Sequence, residues 1–176
     1  MRIERDQAIA VVVDYQEKLV PVMSDTEQLI HNSCILLEGL RILEVPMILT
    51  QQYTKGLGMT VEAIAEAAGT KEYIDKIAFT AYDAIKWKLR GKKYVIVCGI
   101  ESHNCVLQTV IDLKAAGFVP VLVADCISSR KEGDKQVALE RARQEGAIVT
   151  TYESLLFELL KVAGTETSKT IQKLIR

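Results

Sequence analysis

Residues 8–14 read Ala8-Ile-Ala-Val-Val-Val13-Asp14, a continuous apolar run that stops at a carboxylate. A run of this kind, rich in β-branched residues, is typical of a strand buried on both faces of a parallel sheet. The run Tyr94-Val-Ile-Val-Cys98 has the same character, and Gly99 begins a turn directly after it. Both runs therefore predict strands of a sheet that is covered by helices on each side.

Strand-like and helix-like segments alternate along the rest of the chain. Residues 26–43 carry leucine and isoleucine at near-helical spacing, as expected of an amphipathic helix. Strand followed by helix, repeated about six times, requires right-handed crossovers and a mostly parallel sheet. We predict one α/β domain over 1–176, three-layered and Rossmann-like, with about six strands and helices on both faces. Further strands are expected at 45–49, 73–79, 119–124 and 147–150, and further helices at 61–68, 84–89, 104–116, 135–144 and 153–162, with the tail after 164 either a short helix or frayed.

The composition excludes several classes of protein. A net charge of -1 argues against a nucleic-acid partner, because phosphate binding usually needs a clustered basic excess. No apolar run approaches the roughly 20 residues that span a bilayer. The charged residues 1–6 are not followed by the apolar segment of a signal peptide. We therefore expect a cytoplasmic protein with no membrane partner, in which the four scattered cysteines are individual thiols.

Open parallel sheets bind ligands beyond the carboxyl ends of their strands, so the residues that follow each strand are the candidates for a site. Cys105 opens the predicted helix 104–116. A helix N-terminus favours a thiolate, which would make Cys105 a nucleophile, although a free cysteine is as often a small buried apolar residue. Asp14, at the end of an apolar strand, is either paired or functional, or else it is a helix cap or part of a surface turn. Lys76 is either catalytic or extended toward solvent.

Three segments resemble the motifs of the isochorismatase-like cysteine hydrolases, in order and over nearly the whole chain. They are Val11-Val-Val-Asp14-Tyr-Gln16, Lys76-Ile-Ala-Phe-Thr-Ala-Tyr82 and Gly99-Ile-Glu-Ser-His-Asn-Cys105-Val. Within this family the chain looks most like the isochorismatase domain-containing proteins. The segments that carry this likeness are Gln51-Gln-Tyr53 with Gly56-Leu-Gly58, and Asp125-Cys-Ile-Ser-Ser-Arg130.

The resemblance implies a division of roles. Cys105 would attack a carbonyl-like carbon, Asp14 would take and return the proton, and Lys76 would hold the two in register. A cis peptide between Ile100 and Glu101 is also implied, with an oxyanion site formed by the backbone N–H groups of Glu101 and Cys105. Several residues are candidates for substrate contact by position alone, with loop packing as the open alternative: Gln52, Tyr53, Tyr82, Glu101, His103 and Asn104. Arg130 is expected to anchor the loop after the fifth strand, with anion binding as its alternative.

Zinc-binding relatives carry histidines after the second strand, where this chain has Gln51-Gln52-Tyr53. The resemblance therefore implies no catalytic metal and no cofactor. It implies a metal-independent hydrolase of a small amide or related C–N compound, acting through a covalent Cys105 intermediate. Two alternatives stay open: a hydrolase of vinyl ethers, and a binding or scaffold protein with little or no catalysis. A homo-oligomer is also expected from the family.

Overall fold

The computed structural model describes residues 1–176 and contains one sheet of six strands. The strands lie in the order β3-β2-β1-β4-β5-β6, and every neighbouring pair is parallel. This confirms the predicted Rossmann-like α/β class, and it puts the topological switch point between the first and fourth strands. The strands are β1 (Ala8–Val13), β2 (Met47–Gln52), β3 (Ile74–Lys76), β4 (Tyr94–Ile100), β5 (Val119–Ser128) and β6 (Ile148–Thr150).

Helices cover both faces of the sheet, as predicted. They are α1 (Thr26–Ile42), α2 (Thr54–Leu57), α3 (Glu62–Ala68), α4 (Tyr82–Ile85), α5 (Leu107–Ala115), α6 (Glu132–Gln144), α7 (Tyr152–Leu160) and α8 (Glu166–Ile175). None of them combines the length and the apolar character that crossing a membrane requires. One apolar core lies under α1, α3, α7 and α8, and a second lies under α4, α5 and α6. Successive residues of β1 enter opposite cores, which is why the whole run 8–13 is apolar.

Three differences from the predicted elements concern the carboxyl edge of the sheet. β2 extends to Gln52, so that residues expected in the following loop lie in the strand. β5 runs four residues further than predicted, to Ser128. The helix expected from residue 104 begins as a π-helical turn, Ser102–Val106, before α5. The tail is a helix rather than a frayed end, and Thr165 caps it by accepting a hydrogen bond from the Ser168 N–H at 3.0 Å.

Gly99 lies against Val13 of β1 in a position that has no room for a side chain. A Cβ atom at this position would lie 2.1 Å from the carbonyl oxygen of Val13, and the φ angle is +130°. Both conditions exclude any residue with a side chain. Asp14, which follows Val13, is therefore held beside the turn that leads into the cysteine segment.

The pairing between β4 and β5 is irregular near its carboxyl end. The register slips between Val97 and Gly99, where one residue of β4 lies opposite the four residues 123–126 of β5. Beyond the slip the strands pair again, with Ile100 opposite Ser128. A bulge of this kind bends a strand and redirects the residues that follow it. Here it brings the end of β5 back alongside the end of β4.

Side chains from the loop after β1 and from α1 hold the bulge in place. The Tyr15 hydroxyl donates to the Cys126 carbonyl at 2.6 Å and forms a second hydrogen bond with Ser33 Oγ at 2.7 Å. Asn32 Nδ2 donates to the Asp125 carbonyl at 3.0 Å. Buried carbonyls that have left a regular ladder need such partners, because an unpaired buried polar group is costly.

Tyr15→Phe removes the hydroxyl that bridges the bulge and α1. The buried Cys126 carbonyl then loses its partner, and we expect the free energy of unfolding to fall by about 1–3 kcal/mol. Urea denaturation measures this loss. Tyr73→Phe is the matched control, because Tyr73 is 39% exposed and its hydroxyl makes no hydrogen bond. Unchanged stability in Tyr15→Phe would contradict the role given to this hydroxyl.

Candidate active site

Asp14 and Lys76 form a buried ion pair at the carboxyl edge of the sheet. Asp14 follows β1 and Lys76 ends β3, with β2 between them. Lys76 Nζ lies 2.7 Å from Asp14 Oδ2, and the two side chains are 2% and 0% exposed. The other carboxylate oxygen, Oδ1, accepts a hydrogen bond from Thr50 Oγ1 at 2.8 Å. Since an isolated buried charge is costly, each group stabilises the charged form of the other.

The Lys76 ammonium has more acceptors around it than protons to donate. Nζ donates to Gln52 Oε1 at 2.7 Å and to the carbonyls of Ala78 and Phe79 at 3.2 and 2.8 Å. An ammonium group has three protons, so these three acceptors and Asp14 Oδ2, which lies 2.7 Å from Nζ, share them. Oδ2 is therefore held by Lys76, whereas Oδ1 is held by Thr50.

Cys105 lies in the π-helical turn that precedes α5 and is 6% exposed. Its carbonyl accepts a hydrogen bond from Thr109 Oγ1 at 2.7 Å. The same hydroxyl accepts one from the Ala81 N–H at 2.8 Å. Thr109 thereby fastens the cysteine turn to the segment that follows Lys76, and so to the ion pair.

Burial determines the protonation state of the site. The pKa of the Cys105 thiol is raised to about 12, first by burial and then by the charge of Asp14, against an opposing effect of Lys76. The pKa of Asp14 is also raised by burial, although Lys76, Thr50 and the Cys105 thiol lower it. The net direction is opposite to the one predicted from the helix N-terminus, because burial is the largest effect on the pKa of the thiol. Burial thus favours the neutral form of the Cys105 thiol.

The start of the cysteine turn carries a backbone donor without a partner. The Ile100–Glu101 peptide is cis, as the resemblance implies. The Glu101 carbonyl accepts hydrogen bonds from the N–H groups of Asn104 and Val106, at 3.1 and 3.2 Å, whereas its own N–H donates to no group of the protein. A free N–H at this place suits an oxyanion, and the oxyanion role of Glu101 and Cys105 stays a prediction.

Gln52 supports Lys76 through its side-chain amide, which leaves one N–H of Nε2 without a partner in the protein. Its Oε1 accepts from Lys76 Nζ, and its Nε2 donates to the Ile77 carbonyl at 2.6 Å. The backbone of Gln52 is held by the buried Gln16, whose Nε2 donates to the Gln52 carbonyl at 2.9 Å and whose Oε1 accepts from the Gln52 N–H at 2.7 Å. Gln16 thus continues the pairing of β1 with β2 beyond the end of β1.

Two of the predicted substrate contacts are aromatic, and they lie in different surroundings. The Tyr82 ring packs edge to face against Phe118, with centroids 6.5 Å apart. Phe118 directly precedes β5, so this contact draws the ring toward the amino edge and away from the ion pair. Tyr53 follows β2 at the carboxyl edge and is 52% exposed. A further aromatic side chain, Phe79, lies three residues after Lys76 and is 52% exposed.

His103 and Asn104 lie in the cysteine turn and are both half-buried. His103 Nδ1 is hydrogen-bonded to Ser129 Oγ at 2.9 Å, and Asn104 Oδ1 accepts from Gln108 Nε2 at 2.9 Å. No three His, Cys, Asp or Glu side chains are grouped so that they could hold a metal ion. The other supports of the site, Thr50 and Thr109, carry no signal in the sequence beyond their positions near a motif.

Removing the charge of Asp14 should lower the pKa of the Cys105 thiol, because this carboxylate opposes ionisation of the thiol. In Asp14→Asn, alkylation of Cys105 by iodoacetamide at a fixed, mildly alkaline pH should be faster than in the wild type. Peptide mass spectrometry measures the rate at Cys105 separately from the other thiols. Asp83→Asn, at an exposed carboxylate paired with Lys86, should leave the rate unchanged. An equal or slower rate in Asp14→Asn would show that the assigned sign is wrong.

Known proteins resemble this chain in sequence and in fold. The family model of the isochorismatase domain matches residues 8–154. Isochorismatase domain-containing protein 2A of Mus musculus is 37% identical, with 99% of this chain and 85% of that protein covered. Isochorismatase domain-containing protein 2 of Danio rerio is 35% identical, with coverage of 99% and 89%. A solved structure of the MAR1 ribonuclease from Caenorhabditis elegans superimposes with a TM-score of 0.93 at 36% identity, over 99% of this chain and 92% of that one. The chain therefore belongs to the isochorismatase family.

Proposed function

We propose that this protein is a metal-independent cysteine hydrolase of a small amide or related C–N compound, with a covalent intermediate on Cys105. Membership of the isochorismatase family supports a hydrolase. The finer assignment is supported above all by one observation: the Cys105 thiol lies beside a buried carboxylate that is paired with a buried ammonium. This arrangement supplies a nucleophile, a base and a fixed counter-charge.

In the first half of the proposed reaction, Cys105 Sγ attacks the carbonyl carbon as its proton passes to Asp14. The negative charge that develops on the carbonyl oxygen is accepted by the backbone N–H groups of Glu101 and Cys105. When the tetrahedral intermediate collapses, the C–N bond breaks and Asp14 returns the proton to the leaving nitrogen. The amine departs and a thioester remains on Cys105.

In the second half, a water molecule attacks the thioester carbonyl and gives a proton to Asp14. The C–S bond then breaks, the proton goes to Sγ, and the carboxylic acid leaves. Lys76 keeps Asp14 ionised between these transfers, because a buried carboxylate without a partner would stay protonated. No other group is required, since each proton taken up by Asp14 is returned within the cycle.

A panel of small amides, carbamates and vinyl ethers, given to the wild type and to Cys105→Ala, tests this proposal. We expect turnover of a C–N compound that falls by about 10³-fold or more in Cys105→Ala. Cys34→Ala, at a half-buried thiol away from the site, is the control and should keep its activity. A chelator should leave the rates unchanged. Activity that survives in Cys105→Ala would contradict covalent catalysis. Turnover of vinyl ethers alone would favour a vinyl-ether hydrolase. Inactivity on the whole panel would favour a binding protein.

Hydrolysis of RNA is a second candidate, which the likeness to the MAR1 ribonuclease favours. The chain has one strongly basic stretch, residues 86–93, which contains Lys86, Lys88, Arg90, Lys92 and Lys93 and no carboxylate. This stretch directly precedes β4, so it lies at the edge of the sheet opposite the ion pair. Labelled RNA should therefore remain intact with the wild type. Cleavage that is lost in Asp14→Asn and kept in Asp83→Asn would establish the ribonuclease instead.

We also propose that the chain self-associates, as the family resemblance implies. Large apolar side chains are more than half exposed around β3 and the segment that follows it, and monomers seldom leave such groups uncovered together. They are Tyr53, Ile77 and Phe79.

A further inference from the structure

We propose that Arg130 is a positioning residue for the oxyanion site and that it acts through Glu101. This role rests on the acyl transfer proposed for Cys105. Arg130 Nε donates to Glu101 Oε2 at 3.1 Å, and the Arg130 backbone N–H donates to the same oxygen at 3.2 Å. The carboxylate is therefore held by two donors of one residue, one of them on the main chain.

The held carboxylate belongs to the residue whose N–H has no partner within the protein. Its side chain is 13% exposed, whereas that of Arg130 is 62% exposed, so the charge-assisted contact is partly shielded on the Glu101 side. Fixing the Glu101 side chain restricts rotation of its backbone and keeps the free N–H in one direction. An oxyanion donor is effective only when its direction is set before the charge develops. Arg130 therefore supplies rigidity to a donor that it does not touch.

The bulge in β5 explains how Arg130 reaches this position. Because Ile100 pairs with Ser128, the residues that follow the two strands emerge side by side. The next residues are Glu101 on one strand and Ser129 with Arg130 on the other. Without the slip in register, β5 would end out of step with β4 and the pair could not form.

A second contact joins the same two segments. His103 Nδ1 and Ser129 Oγ are 2.9 Å apart. His103 lies two residues after Glu101, and Ser129 directly precedes Arg130. The Ser129 carbonyl accepts from the Ser24 N–H at 2.9 Å and from Ser24 Oγ at 2.8 Å, which anchors this segment near the start of α1. The cysteine turn is thus hydrogen-bonded to a segment that is itself held near the start of α1.

Two thiol-directed reagents separate positioning of the oxyanion from general effects on the thiol. Acylation of Cys105 by p-nitrophenyl acetate passes through an oxyanion, whereas alkylation by iodoacetamide displaces iodide without one. In Arg130→Ala we expect acylation to slow about 10-fold or more, since loss of an entire oxyanion donor costs about 10²–10³-fold. Alkylation should stay within about twofold of the wild type, because the thiol and Asp14 are unchanged.

Matched variants make the result specific. Arg141→Ala removes a similar contact elsewhere, Arg141 Nε to Glu145 Oε1 at 2.7 Å on α6, and should change neither rate. Glu101→Gln should lower the rate of acylation relative to that of alkylation, and this ratio is the measure because loss of the Glu101 charge by itself favours ionisation of the thiol and speeds both reactions. In the double variant with Arg130→Ala the ratio should fall no further than in the more affected single variant, because both act through one contact.

Each further outcome decides a different point. Acylation of Arg130→Ala at the rate of the wild type would overturn the positioning role. An equal fall in the rates of acylation and alkylation would overturn it too, because Arg130 would then affect the fold or the thiol in general. A wild type that is alkylated at Cys105 but forms no acyl-enzyme would overturn the proposed acyl transfer itself, and with it this role.

Discussion

The buried contact between the Asp14 carboxylate and the Lys76 ammonium is the constraint on which the rest of the site depends. Two charges without access to water are stable only together, so the ends of β1 and β3 must be held at a fixed distance across β2. The groups between them serve this purpose. Thr50 satisfies one oxygen of Asp14, and Gln52 with two backbone carbonyls satisfies the protons of Lys76. β3 has only three residues, and its last side chain is bonded to the centre of the sheet.

The same burial determines how the cysteine can act. A nucleophile that is already a thiolate needs a cationic, hydrated setting, whereas Cys105 is shielded from water and lies beside a negative charge. In the proposed reaction its proton therefore leaves as the new bond forms and passes to Asp14, which Lys76 keeps ionised. We thus propose catalysis by a base and a thiol acting together rather than by a thiolate formed in advance.

The fold follows from local patterns in the sequence, whereas the grouping of Asp14 with Lys76 is implied only by the family resemblance. The apolar run 8–13, the end of that run at Asp14, and the alternation of strands with helices are properties of short segments, and the structure agrees with them. Other features depend on long-range packing. The pairing of Arg130 with Glu101 follows from a slip in register between two strands, which no local pattern reveals. The raised pKa of Cys105 depends on how completely the surrounding layers exclude water, whereas the position of Cys105 before a helix suggested the opposite direction. Tyr82 is the last residue of a motif in sequence, and its ring packs against Phe118, which precedes β5.

Trapping the acyl-enzyme is the most direct test of covalent catalysis at Cys105. A substrate that the wild type turns over would be mixed with the protein, quenched in acid within the first turnovers, digested and analysed by mass spectrometry. The account predicts that the peptide containing Cys105 gains the mass of the acyl group, that the adduct disappears as substrate is exhausted, and that Cys34, Cys98 and Cys126 stay unmodified. Steady turnover of that substrate with no adduct on Cys105 at any time would contradict it.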